Sequence, residues 1–101
     1  EAEAIYAKSL ETSRKVYGDE NPSTVFLIGG VGELLLAQKK YAKAEITLLE
    51  LIEIYARTLP SEHPNNYWAY ETLAKIYDGW GKPEKAQKYR DLLPSDNSSS
   101  F

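Results

Sequence analysis

Sliding the 101-residue chain against itself by 42 positions brings Ala2-Glu3 onto Ala44-Glu45 and then onto Ala86-Gln87. The same lag puts Asn21-Pro22 on His63-Pro64, Val31-Gly32 on Leu73-Ala74, Leu35 on Tyr77 and Lys40 on Lys82, without a gap. Turn signals and apolar positions therefore come into register together. A segment of this length repeated in tandem is one supersecondary unit that buries its apolar face by stacking on its neighbours.

Within each period the apolar spacing is helical. Phe26, Gly30, Glu33 and Ala37 share one stripe and Ile28, Val31, Gly32 and Leu35 another, at steps of three and four, which predicts a helix over 23–38. Lys39-Lys40 interrupts it. Tyr41, Ala44, Leu48, Leu51, Ile52 and Tyr55 then mark a second helix over 41–59. Pro64, like Pro22, suits the first turn of a helix, where its missing N–H removes no intrahelical bond. A third helix is predicted over 65–79, closed by Gly81, and a last one from 83 to about 93. Residues 1–17 match 43–59 and supply the remaining helix. The expected organisation is one domain over 1–94, made of the second helix of a partial repeat (1–20), a full repeat (21–60) and a full C-terminal repeat (61–94). The Ser-rich stretch "PSDNSSSF" is expected to give a disordered tail over 95–101. The chain opens on Glu1 with no signal-like segment, so it is expected to begin within a longer protein, and the shortened last helix leads us to expect the array to stop near its end.

Composition removes whole classes of function. A formal charge of −3 provides no basic footprint, so nucleic acid is not an expected partner. No apolar run approaches the roughly 18 residues of a membrane span, so no membrane partner is expected, and a cytoplasmic setting is. The absence of cysteine removes disulfides and thiolate chemistry. A single histidine, His63, has no cluster of acidic residues near it in sequence, so no metal site is expected. No glycine-rich loop joins a strand to a helix, and hence no phosphate cradle or cofactor is expected. Glu45, Glu50 and Glu53, and likewise Lys82, Lys85 and Lys88, read as solvated helix faces. With no nucleophile and base to pair, the chain is expected not to be an enzyme.

Two stretches carry a family resemblance. Ile28-x-x-Val31-Gly32-x-x-Leu35 followed by Ala44-x-x-x-Leu48, and Tyr70-x-x-Leu73-Ala74-x-x-Tyr77 followed by Ala86, resemble the tetratricopeptide repeat, with Arg90 departing at the final large position. The 42-residue period, against about 34 in the standard unit, and the corners "YGDENP" and "LPSEHP" resemble the kinesin light chain type of that repeat. The resemblance implies an all-α, right-handed superhelical stack of antiparallel helix hairpins, about five helices in this chain. It implies a non-catalytic module that binds a protein or peptide partner on its concave face. The alternative is a structural segment that caps a longer array. It also places His63 in a corner, as a cap or turn residue, and Tyr6, Tyr41, Tyr70 and Tyr77 at large core positions.

The stretch "FLIGGVGELLL" has three glycines within four residues of a helix, each costing about 1 kcal/mol relative to alanine. By the resemblance, Gly32 and its counterpart Ala74 sit where the helices of a hairpin cross most closely, opposite Ala44 and Ala86. Gly29 and Gly30, whose counterparts are Glu71 and Thr72, fall on the concave face. There they are either a loosely packed turn or a hollow that admits a partner, and on helix propensity alone Gly30→Ala is expected to stabilise. The candidate binding residues are Phe26, Gly29, Gly30 and Glu33 on one helix and Trp68, Glu71, Thr72 and Lys75 on the next. Phe26 and Trp68 are either anchors for a ligand or packed on a neighbouring repeat. The family's peptide-gripping asparagine is replaced here by Gly30 and Thr72, and Lys75 is the sole cation on the stripe. At the N-terminal edge, residues 1–10 are expected to expose apolar surface and to allow self-association through the first helix.

Overall fold

The 42-residue lag has a physical counterpart at the corners of the chain. The structure, a computed structural model, describes residues 2–94 and the side chains of residues 4–94. It contains α1 (Ala2–Tyr17), α2 (Pro22–Ala37), α3 (Tyr41–Thr58), α4 (Pro64–Gly79) and α5 (Pro83–Arg90), and no strand among the described residues. The expected tail over 95–101 lies outside the described residues.

Helices α2 and α4 open in the same way. The Asn21 Oδ1 accepts from the Ser23 N–H at 2.9 Å, and the His63 Nδ1 accepts from the Asn65 N–H at 3.0 Å, each satisfying a donor that the helix itself leaves unpaired. Both helices also close in the same way. Lys39 (φ 61°) and Gly81 (φ 78°) adopt the left-handed conformation, and the next residue's N–H turns back to the helix, Lys40 to the Leu35 carbonyl at 2.9 Å and Lys82 to the Tyr77 carbonyl at 2.8 Å. Only the second copy uses glycine, the residue that takes this conformation without steric cost.

Each helix packs chiefly on the next in sequence, so the chain is a stack of antiparallel hairpins. Ile28, Leu48, Leu51, Ile54, Leu73 and Ile76 are fully buried between them, along with Ala44, Ala69, Ala74 and Ala86. Gly32 marks the tight crossing of α2 on α3: a Cβ there would lie 2.4 Å from the Leu48 Cδ2, far inside van der Waals contact. The expected partner of that approach was Ala44. It is Leu48, one turn further along α3, that fills the space above Gly32. Polar links at equivalent places fix the helix entries: the Ser13 and Thr24 hydroxyls meet at 2.6 Å between α1 and α2, and the Asn66 amide donates to the Pro60 carbonyl at 2.9 Å.

Two charge runs do more than face solvent. Arg14 of α1 pairs with Asp19 and Glu50, each at 2.8 Å, tying the first corner to α3. Glu45 accepts from the Tyr77 hydroxyl at 2.6 Å, joining α3 to α4. Lys82 lies 3.8 Å from the centroid of the Trp80 ring, whereas Lys88 and Glu53 are exposed as expected. Of the tyrosines expected in the core, Tyr77 is buried, Tyr41 and Tyr70 are half-buried, and Tyr6 lies at the surface.

Candidate partner-binding groove

Helix α2 carries Phe26, Gly29, Gly30 and Glu33 along one face, with Trp68 of α4 against Gly29. A groove of about 540 Å³ opens there, lined by Tyr6 of α1, Val25, Phe26, Gly29, Gly30 and Glu33 of α2, Tyr55 of α3, and Asn65 and Trp68 of α4, with Pro22 at one end. Sequence reasoning placed five of these residues on the binding face: Phe26, Gly29, Gly30, Glu33 and Trp68. The structure puts all five on one groove.

The other three stand apart from it. Glu71 and Lys75 are exposed on α4 outside the lining, and Thr72 is buried, with its hydroxyl donating to the Trp68 carbonyl at 2.8 Å. That bond turns the Thr72 hydroxyl back onto its own helix.

The glycines have a concrete role in this arrangement. A Cβ on Gly29 would lie 3.4 Å from the Trp68 Cη2, and one on Gly30 would lie 3.3 Å from the Tyr6 Cε1. Each glycine thus seats an aromatic ring of its own chain. The hollow expected above them is filled at its base by Trp68 and Tyr6, whose rings become walls of the groove. Phe26 has no such seat and remains 79% exposed, whereas Trp68 at the equivalent position of the next repeat is half-buried. Tyr6 and Tyr55 also line the groove, and the sequence pattern does not point to either as a binding residue. Tyr6 comes from a helix whose rotation about its axis depends on packing, and Tyr55 is a core residue, 7% exposed, that also borders the groove. Burial raises the Tyr55 phenol above the ordinary tyrosine range, so it is neutral at physiological pH.

The family model for the tetratricopeptide repeat matches residues 1–57 and again residues 27–89, which together cover α1 to α4 and α5 up to its last residue. The chain belongs to the tetratricopeptide repeat family. No curated protein sequence matches it. Tetratricopeptide repeats act in general through protein–protein contact. Among the described residues no group of His, Asp and Glu is arranged to hold a metal ion, and no helix is long and apolar enough to cross a membrane.

Proposed function

We propose that the chain is a non-catalytic module that binds a peptide or protein segment in the groove between α1, α2 and α4. The observation that carries this reading is Phe26, a phenylalanine 79% exposed at the mouth of a groove whose other walls are a tryptophan and a tyrosine. Large aromatic side chains at the centre of a depression are the residues that most often anchor an interface. The 42-residue period and the repeated corner caps favour the kinesin light chain type of repeat. A charge of −3 and the lack of a membrane-crossing helix among the described residues favour a protein partner in a cytoplasmic setting over nucleic acid or lipid. Selection of a random peptide library on the immobilised chain tests the proposal. Selected peptides should lose binding to Phe26→Ala and Gly29→Leu chains, the second of which forces Trp68 off its seat. Peptides indifferent to both would place binding elsewhere.

The ends of the stack favour two further roles. Helix α5 buries only Ala86 among its own residues and turns charged side chains outward, as a capping helix does. Helix α1 exposes Ile5 at 65% and Val16 at 63%, apolar surface suited to self-association. Sedimentation at increasing concentration tests the latter, with Ile5→Glu expected to abolish any dimer.

A further inference from the structure

Four aromatic residues and one carboxylate line the groove, and no lysine, arginine or histidine does. Tyr6 and Trp68 are held in place by the glycines beneath them, and Phe26 stands free at the rim. Glu33 lies one turn beyond the glycine pair on the same helix face. It is exposed, and among the described residues it has neither an ion pair nor a side-chain hydrogen bond. By contrast, Glu50 is engaged by Arg14, Glu45 by Tyr77 and Asp78 by Arg90.

Aromatic rings carry negative charge on their faces, and an unpaired carboxylate adds a full negative charge beside them. An acidic segment would meet no counter-charge in this groove, because Lys75 stands outside the lining. A guanidinium satisfies both features at once. Its flat surface stacks on an aromatic ring, and its edge gives a carboxylate two parallel N–H bonds. We infer that the occupant of the groove is a peptide segment carrying an arginine side chain, stacked on the exposed rings and paired with Glu33. This inference rests on the peptide-binding reading above.

The test uses four pools of synthetic heptapeptides with mixed neutral flanks and a central arginine, citrulline, glutamate or phenylalanine. Citrulline has the shape of arginine without its charge. Binding is followed through the indole N–H signal of Trp68. The arginine pool should bind about tenfold more tightly than the citrulline pool at low salt, the scale of a partly desolvated cation over a ring. Added salt should narrow the gap. Glu33→Gln should erase most of that advantage, and Glu71→Gln, outside the lining, should preserve it. If arginine and citrulline bind alike, or if glutamate or phenylalanine is preferred while Trp68 still responds, the cation inference is overturned and the groove remains a peptide site. If no pool moves Trp68, both readings fail.

Discussion

Helix α2 and its counterpart α4 begin at equivalent caps and end at equivalent left-handed residues, yet they finish the repeat differently. At the positions where α2 has Gly29, Gly30 and Leu35, α4 has Glu71, Thr72 and Tyr77. In the first copy the side chains are removed, so that rings from α1 and α4 come to rest on bare backbone and leave a groove. In the second copy aromatic side chains are added. Tyr77 stacks with Trp80 and Tyr89 at centroid distances of 6.4 and 5.9 Å, Tyr41 stacks on Trp80 at 6.3 Å, and the short α5 closes over them. One scaffold thus yields an open groove and a closed aromatic cluster; the differences lie on the helix faces and, at Gln38 and Trp80 and at Lys39 and Gly81, in the corner that follows, while the caps that open the helices are kept.

The largest effect should come from closing the crossing that both copies share. Gly32→Leu forces side-chain atoms into space held by the fully buried Leu48, at a cost of at least the ~1–3 kcal/mol typical of overpacking. Ala74→Leu should destabilise less, because a Cβ is already accommodated there. Denaturant midpoints of the two variants measure the difference, and equal shifts would remove the special tightness of the first crossing.

Tyr77→Phe deletes a hydrogen bond to a carboxylate between α3 and α4, and should cost ~1–2 kcal/mol in a denaturant titration. It should also change the alkaline limb of stability. Burial first, and then the hydrogen bond and charge of Glu45, raise the Tyr77 phenol above its ordinary value of 10.0. A folded value above the unfolded one means that the associated stability is complete below pH about 10 and is lost as the pH rises further, because the unfolded chain ionises first. The Phe variant should therefore unfold less steeply with pH in that range. Tyr55, raised by burial, leaves a residual slope.

Lys39→Gly gives the first corner the left-handed glycine of the second. Relief of a left-handed lysine at φ 61° should stabilise the fold by about 1 kcal/mol, read as a raised melting temperature. The reverse change, Gly81→Lys, should destabilise by a similar amount.

Gly30→Ala should move stability least. The gain of about 0.4–1 kcal/mol from a stiffer unfolded chain is offset by a Cβ 3.3 Å from the Tyr6 ring, which must yield. Tyr6 is 37% exposed and able to do so, so the expected change is within about 0.5 kcal/mol of zero. Peptide binding should weaken nonetheless, because a groove wall has shifted. A full stabilisation with unchanged binding would show that Tyr6 has no part in the site.

The fold was legible because its signals are local and repeated. Asn21-Pro22 and His63-Pro64 start helices by satisfying their own donors, and the three-four spacing of Ile28, Val31 and Leu35 defines a buried stripe without reference to any neighbour. Phe26, Glu33 and Trp68 were legible for the same reason, since a face is fixed once the helix is. The partners above Gly29 and Gly30 were not. Which ring rests on a glycine depends on how one helix is rotated against another, and that information is spread over the whole interface. Thr72 shares the stripe of Glu71 and Lys75, yet it is buried and bonds to its own helix backbone, which a stripe in the sequence does not reveal. The engagement of Glu50 by Arg14 spans residues far apart in sequence, and charge patterning along one helix has no access to it.

The most direct test of the account uses the two tryptophans, one in each region. A library-selected peptide is titrated into isotope-labelled protein and both indole N–H signals are followed. The account predicts that Trp68 shifts in a saturable manner together with the amides of Gly29 and Gly30, while Trp80, stacked with Tyr41 and Tyr77, holds its position. A peptide that shifts Trp80 and leaves Trp68 and the glycines unmoved would contradict it.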